Sequence, residues 1–124
     1  LGFLVGKPIS VWLEGGAKEI ILFDEGSDLS LLKEADLVIS GVGKAGIIKP
    51  KMLKDGVTVI DFGYSQEVTS EVGHETIKFS GDFNSLLLTP HPSRLTISYT
   101  PTPGGTGPIL VAKLLENFYI LNTK

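Results

Sequence analysis

The 124-residue sequence contains no cysteine, only two histidines, and a single tryptophan and methionine. Without cysteine there is no disulfide framework and no thiolate metal site, and His74 and His91 are too few to form a metal cluster by themselves. We therefore expect no metal, and we expect a location in the cytoplasm or the mitochondrial matrix.

Basic charge and long apolar runs are also scarce. The net charge is −3 and the isoelectric point is near 5.3, which gives no basic surface for nucleic acid. No apolar run approaches the roughly 20 residues of a transmembrane helix, and no signal peptide is visible. We expect one globular domain with neither a nucleic-acid nor a membrane partner. Because the first residue is Leu1 and not Met, we expect a fragment or a processed form.

Short β-rich runs alternate with helical patterns along the chain. A first helix opens at V-G-K-P, and a long one follows the Pro- and Gly-rich stretch near the end. Unbroken apolar strands that alternate with helices predict a parallel sheet covered on both faces, in a three-layer, Rossmann-like, doubly wound α/β fold. Strands are predicted within residues 19–23, 36–43, 56–63, 77–83 and 95–100, and further helices within 29–35, 49–55 and 107–121.

Several glycines fall where the predicted strands end. Gly41 and Gly43 close one strand, Gly63 closes another, and Gly6 and Pro8 open the first helix. Ligands of such sheets bind outside the carboxyl ends of the strands, where glycine lets phosphates approach the backbone and a helix N-terminus attracts an anion. The set therefore favours a nucleotide site, although each glycine could also serve only as a turn residue.

Asp24 strengthens this hypothesis. It follows Gly6 by 18 residues and ends the first predicted strand, about where a Rossmann domain places an acid on the ribose hydroxyls. A carboxylate there repels a 2′-phosphate, so NAD is favoured over NADP. Alternatively, Asp24 and Glu25 are turn residues, or Asp24 caps the next helix.

Five segments, taken in order, resemble one known family. Their order and spacing are similar to those of the C-terminal cofactor domain of methylenetetrahydrofolate dehydrogenase/cyclohydrolase. The most specific segment is the last, whose start resembles the family's T-P-V-P-G-G-V-G-P-M-T. The segments are V-G-K-P (residues 5–8), A-D-L-V-I-S-G-V-G-K (35–44), G-V-T-V-I-D-F-G (56–63), G-D (81–82) and T-P-T-P-G-G-T-G-P-I-L-V-A-K-L-L-E-N (100–117).

The resemblance implies that residues 1–124 are an NAD(P)-binding Rossmann domain of a longer two-domain enzyme. That enzyme oxidises 5,10-methylenetetrahydrofolate to the methenyl form with NAD(P) and hydrolyses it to 10-formyltetrahydrofolate. The family's catalytic Tyr and Lys belong to an N-terminal domain, so we expect no catalytic residue and no turnover in this chain alone. Tetrahydrofolate derivatives, the N-terminal catalytic domain and a second copy in a homodimer are the implied partners. The sheet's first strand would lie upstream of Leu1, so we expect the sheet to lack it.

The family's Pro- and Gly-rich loop lines the cleft between folate and cofactor. The resemblance therefore implies that Pro103, Gly104 and Gly105 face the substrate. We expect a side chain at Gly104 or Gly105 either to force a strained backbone or to intrude on the ligand.

Departures from the family pattern concern the cofactor phosphates. Leu1 and Gly2 stand where the family has the Arg and Ser of G-R-S, and Asp24 replaces a phosphate-binding Ser. These changes indicate either an NAD enzyme or a weakened site. Tyr64 takes the place of a residue whose backbone meets the cofactor, and Val42 is a further cofactor-binding candidate.

Other charged residues have weaker claims. Lys44 could meet a cofactor or folate carboxylate, and Lys7 could face the pyrophosphate, but solvated lysines are the simpler explanation. His74 is expected in a surface loop, and His91 has no acid or nucleophile beside it in the sequence. Two further possibilities stay open: a non-catalytic, degenerate Rossmann domain with an assembly or regulatory role, and an unrelated Rossmann dehydrogenase domain.

Overall fold

A three-stranded parallel sheet forms the centre of the protein. The computed structural model describes Gly2, residues 4–88 and residues 95–123. The strands β1 (Leu37–Ser40), β2 (Thr58–Asp61) and β5 (Ser98–Tyr99) lie in the order β1-β2-β5. Both pairings are parallel, as the sequence predicts.

The core lies against one face of this sheet. Val38 of β1 pairs in register with Val59 of β2, and both side chains are buried. Full burial of a valine side chain stabilises the fold by roughly 1.5–3 kcal/mol. The 3₁₀ helix Leu29–Glu34 contributes Leu32 to the same cluster, and the 3₁₀ helix Pro50–Met52 packs against it. The buried apolar residues are Leu32, Val38, Ile48, Leu53, Val57, Val59 and Phe83.

Asp28 caps the N-terminus of the 3₁₀ helix Leu29–Glu34. Its carboxylate accepts hydrogen bonds from the backbone N–H of Ser30 at 2.9 Å and from the Ser30 hydroxyl at 2.7 Å. Both bonds favour the ionised form, the backbone bond more strongly, and they lower the pKa of Asp28 below its usual value. The helix predicted within residues 29–35 is thus present, with Asp28 as its cap.

Among the described residues, one α-helix precedes all of the strands in the sequence and one follows them. Helix α1 (Gly6–Leu13) opens at Gly6 as predicted, and α2 (Thr106–Asn122) follows the Pro- and Gly-rich loop. All residues of α2 from Gly107 onward are exposed, including Ile109 and Leu115. A helix with apolar residues on most sides is normally buried, so the described residues do not supply its packing partner. None of the described helices has the length and apolar character needed to cross a membrane.

The strand predicted within residues 19–23 is absent. A strand requires a neighbouring backbone for its hydrogen bonds, and among the described residues no segment pairs with 19–23. Within the same residues β1 is an edge strand, and its Leu37 side chain is 41% exposed. Within the described residues, β1 thus has one edge without a hydrogen-bonded neighbour.

A hairpin that the sequence did not predict as a whole follows β2. Strands β3 (Ser65–Glu71) and β4 (His74–Ser80) are antiparallel, and Gly73 takes a positive φ of +89° in the turn between them. The strand predicted at 77–83 corresponds to β4, which begins earlier in the sequence and pairs with β3 instead of joining the parallel sheet. His74, expected in a loop, opens β4 with an exposed side chain.

Candidate functional site

Three chain segments leave the parallel sheet at its carboxyl edge. Residues 41–44 follow β1, residues 62–64 follow β2, and residues 100–106 follow β5. Hydrogen bonds join them: the Ser65 hydroxyl donates to the Gly43 carbonyl at 2.9 Å, and the backbone N–H of Asp61 donates to Thr100 Oγ1 at 2.8 Å. The fold thus brings most of the predicted site residues to one edge.

A buried carboxylate, Asp82, holds the first segment. Its side chain is fully buried and accepts three hydrogen bonds. The donors are the Ser40 hydroxyl at 2.5 Å, the backbone N–H of Val42 at 2.7 Å and the backbone N–H of Lys44 at 2.8 Å. Asp82 therefore fixes the backbone on both sides of Gly43.

A second buried carboxylate, Asp61, holds the other two segments. Its Oδ1 accepts from the backbone N–H of Gly63 at 2.7 Å, and its Oδ2 accepts from that of Phe83 at 2.8 Å. The Asp61 carbonyl accepts the hydroxyl of Thr106 at 3.1 Å, which ties the start of α2 to the end of β2. Sequence reasoning singled out neither aspartate. The available signals were a carboxylate at the end of a β-branched run, in V-I-D-F-G, and a carboxylate directly after glycine, in G-D at 81–82.

The predicted site glycines have distinct structural reasons. Gly43 takes a left-handed φ of +74°, which favours glycine. Gly63 is buried, and a Cβ there would overlap the Asp82 carboxylate. Gly41 faces Val5, where a Cβ would come within 2.9 Å of the valine side chain.

The start of α1 lies beside the end of β1. Besides the Val5 contact, a Cβ on Gly2 would lie 3.7 Å from the Gly41 carbonyl oxygen, and the Gly2 carbonyl accepts from the backbone N–H of Lys7 at 3.1 Å. Gly6 and Pro8 form the first turn of α1. The structure thus places Gly2 and Val5 next to Gly41, and Gly6 and Pro8 follow in the first turn of the same helix. Leu1 lies outside the described residues.

Asp24 lies in a turn and not at a strand end as predicted, because residues 19–23 do not form a strand. Its backbone N–H donates to the Ser27 hydroxyl at 2.8 Å, and its carbonyl accepts from the Ser27 N–H at 3.0 Å. The possibility that Asp24 caps the next helix is wrong, since Asp28 does so. The side chain of Asp24 is exposed.

Tyr64 forms an aromatic wall at the same edge. Its ring stacks on Phe79 of β4 with centroids 5.2 Å apart and planes 24° apart, and its side chain remains 58% exposed. The hairpin therefore holds the Tyr64 ring. The backbone carbonyl oxygen of Tyr64 lies 3.9 Å from the position that a Cβ on Gly43 would take.

The loop of residues 100–105 approaches this edge from β5. The Thr102–Pro103 peptide bond is cis, and Pro103 and Gly104 are exposed. Gly104 takes a φ of +94° with open space around its Cβ position, as expected of a strained, outward-facing glycine. Gly105 differs in that its φ is −88° and not left-handed; a Cβ there would strike the backbone of Pro101 within its own loop, so a side chain would force the backbone to move.

The remaining charged candidates are peripheral to this arrangement. Lys44 is exposed, and only its backbone N–H is tied to Asp82. Lys7 is exposed in the first turn of α1. His91 lies outside the described residues.

A parallel α/β sheet with a helix start and glycine segments at its carboxyl edge defines the class of dinucleotide-binding domains. The comparison with protein families gives the particular member of this class. Residues 2–124 match the family described as tetrahydrofolate dehydrogenase/cyclohydrolase, NAD(P)-binding domain, and the chain belongs to that family.

Similar proteins include bacterial proteins named FolD and solved structures of methylenetetrahydrofolate dehydrogenase/cyclohydrolases. The bifunctional protein FolD of Erythrobacter litoralis is 37% identical over 116 residues, which are 92% of this chain and 37% of the relative. Bifunctional protein FolD 1 of Rhizobium meliloti is 36% identical over 119 residues, 94% of this chain and 38% of the relative. The chain thus spans little more than a third of the length of these relatives.

A solved relative links the family to a cofactor. The crystal structure of methylenetetrahydrofolate dehydrogenase-cyclohydrolase from Trypanosoma brucei, complexed with NADP cofactor and inhibitor, matches 72% of this chain and 28% of its own. The identity is 31% and the TM-score 0.57. The bifunctional enzyme of Thermoplasma acidophilum gives a TM-score of 0.56 at 28% identity, over 76% of this chain and 30% of its own. These likenesses agree with the Rossmann-like fold.

Proposed function

We propose that this chain is the cofactor domain of an enzyme that oxidises 5,10-methylenetetrahydrofolate with a nicotinamide dinucleotide and hydrolyses the product to 10-formyltetrahydrofolate. The observation that carries the proposal is the meeting of residues 41–44, 62–64 and 100–106 at the carboxyl edge of the sheet. The exposed backbone around Gly43 and the open space at Gly104 fit a bound dinucleotide. When bound, the nicotinamide accepts a hydride from the folate methylene carbon.

The residues of this chain contribute orientation to the reaction. Residues 41–44 and Tyr64 would hold the cofactor, and Pro103 and Gly104 would form the wall that faces the folate. Gly105 would act on that wall indirectly, because its lack of a side chain lets the loop backbone pass close to Pro101. Correct placement of two reactants supplies a large share of a catalysed reaction's rate. The catalytic residues would come from an N-terminal domain.

The proposed cofactor is NAD in preference to NADP. Asp24 is exposed and would accept hydrogen bonds from the ribose hydroxyls, whereas its negative charge would oppose a 2′-phosphate. Leu1 and Gly2 lack the phosphate-binding groups that the resemblance places there. The relative from Trypanosoma brucei forms a complex with NADP, so these positions would account for a different choice in this chain.

A homodimer and a location in the cytoplasm or the mitochondrial matrix are parts of the same proposal. The apolar residues of the hairpin support self-association, because Val68 and Ile77 form a cross-strand pair and are 55% and 52% exposed. Sedimentation of the full-length protein would give twice the protomer mass if the proposal is right.

A pair of glycine variants tests the cofactor site. Gly43 and Gly56 share a left-handed backbone, with φ of +74° and +79°. Gly43 follows β1 at the proposed site, whereas Gly56 precedes β2 at the opposite edge, with open space around its Cβ position. Alanine at either position should lower the free energy of unfolding by roughly 1–2 kcal/mol.

Only Gly43→Ala should also weaken nucleotide binding. Calorimetric titration of the full-length protein with NAD⁺ and NADP⁺ measures this, with Gly56→Ala as the matched control. Equal affinities for the two variants would contradict the site. A wild-type protein that binds neither nucleotide would contradict the function and favour a degenerate, non-catalytic domain.

A further inference from the structure

The buried carboxylate of Asp82 accepts hydrogen bonds from the backbone of residues 42–44. Its backbone is held from two sides: the Asp82 carbonyl accepts the N–H of Ile48 at 2.9 Å, and the next N–H, of Phe83, donates to Asp61 at 2.8 Å. The Asp82 side chain therefore extends from a fixed point between β4 and the 3₁₀ helix Ser85–Leu87.

Three neutral donors stabilise this carboxylate. The Ser40 hydroxyl and the Val42 N–H share Oδ2, and the Lys44 N–H reaches Oδ1. Burial of an ionised carboxylate is costly unless such donors are in place. Conversely, the backbone N–H groups of Val42 and Lys44 need an acceptor, and the Asp82 carboxylate supplies it.

What Asp82 fixes is the backbone of the segment and not its side chains. The side chains of Val42 and Lys44 are exposed, so packing holds them little. Between the two anchored N–H groups lies Gly43, with its left-handed φ of +74°. The conformation of residues 42–44 thus depends on hydrogen bonds to two distant side chains. Ser65 bonds the Gly43 carbonyl, and Asp82 accepts both of the N–H groups that flank Gly43.

Gly63 connects this anchor to the second segment. Because a Cβ on Gly63 would overlap the Asp82 carboxylate, the close passage of residues 62–64 is possible only with glycine there. The Gly63 N–H in turn donates to Asp61. The two buried aspartates therefore hold neighbouring segments of the same edge.

We propose that Asp82 is a positioning residue that presets the backbone of residues 42–44 for the dinucleotide. This inference rests on the proposed function, and it adds a residue that would not itself touch the ligand. Since the segment is held before binding, the protein would pay less conformational entropy when the nucleotide binds.

The test compares Asp82→Asn with Asp55→Asn in the full-length protein. An amide keeps one acceptor oxygen, but its NH₂ group faces a backbone donor, so Val42 or Lys44 loses its acceptor. Asp55 is a matched control, because its carboxylate also accepts a backbone N–H, from Thr96 at 2.6 Å, but before β2 at the opposite edge. Two readouts are taken: affinity for NAD⁺ by calorimetry, and amide hydrogen exchange without nucleotide.

We expect Asp82→Asn to bind NAD⁺ about 10- to 100-fold more weakly and to speed exchange in residues 42–44 by about 10-fold or more. Asp55→Asn should leave both quantities unchanged there. An Asp82→Asn protein with wild-type affinity, or with faster exchange across the whole sheet and none specific to 42–44, would overturn the inference. If the wild type binds no nucleotide, the proposed function fails, and unchanged exchange at 42–44 would separately refute the anchor.

Discussion

The loop before α2 provides the sharpest mutational prediction. A Cβ on Gly105 would lie 3.2 Å from both the nitrogen of Pro101 and the Cβ of Thr100, and closer still to the Pro101 carbonyl oxygen. Real Cβ contacts under 3.0 Å hardly occur, so the loop backbone must move. Such overpacking costs roughly 1–3 kcal/mol, and we expect Gly105→Ala to lower the free energy of unfolding by that amount.

Movement of this loop should also reach the proposed site. Residue 105 directly precedes Thr106, whose hydroxyl donates to the Asp61 carbonyl at 3.1 Å. A displaced loop would lengthen this bond and shift Pro103 and Gly104, which form the proposed folate-facing wall. In the intact enzyme we therefore expect a higher KM for folate or a lower kcat, measured per folded molecule.

Gly107→Ala is the control for this experiment. Gly107 lies two residues further on, inside α2, and its Cβ position has open space. Because Gly107 lies in the first turn of α2 and precedes Pro108, alanine gains no helix-interior propensity there, and we expect a smaller change in the free energy of unfolding than for Gly105→Ala. Denaturant unfolding and steady-state kinetics are measured on the same preparations. The reasoning is refuted if Gly105→Ala unfolds like the wild type, and the functional part fails if it unfolds early but has normal kinetics.

Three further predictions concern the cofactor, the division of labour and the Asp28 cap. Asp24→Ser should raise the affinity for NADP⁺ relative to NAD⁺, and a strong NADP⁺ preference in the wild type would contradict the role of Asp24. Residues 1–124 expressed alone should show no dehydrogenase or cyclohydrolase turnover, and turnover free of contaminating enzyme would show catalytic residues here. The hydrogen bonds from Ser30 lower the pKa of Asp28 in the folded state. These bonds should therefore be fully formed at a pH above the usual carboxyl pKa, and they should be lost as the pH falls through the lowered, folded-state pKa. In an NMR titration, the amide resonance of Ser30 should shift with the protonation of Asp28, and this shift should disappear in Asp28→Asn. A titration midpoint above the usual carboxyl pKa would contradict the prediction.

Strong local patterns predicted the elements that do not depend on distant partners. The β-branched runs at 36–43 and 56–63 contain β1 and β2, and the apolar stretch after the Pro- and Gly-rich loop forms α2. The glycines at the strand ends also indicated the edge at which we propose the site. In each case the signal lies within a few consecutive residues, where hydrophobic periodicity and turn chemistry act directly.

Elements that depend on distant partners could not be predicted in this way. Residues 19–23 have the composition of a strand, but hydrogen bonding to a neighbour decides whether a strand forms. Strand β3 has a mostly polar sequence, and only its antiparallel pairing with β4 reveals it. The roles of Asp61 and Asp82 depend on contacts across 22 to 45 residues of sequence, which no local pattern records.

The most direct test of the central claim is an NMR titration of the full-length protein with NAD⁺. We expect the largest amide shift changes in residues 41–44, 62–64 and 100–106, at the carboxyl edge of the sheet. Residues 54–57 and 95–97, at the opposite edge, should change little. Absence of shift changes in a folded sample, or changes centred on the opposite edge, would contradict the claim that this chain binds a dinucleotide at the proposed site.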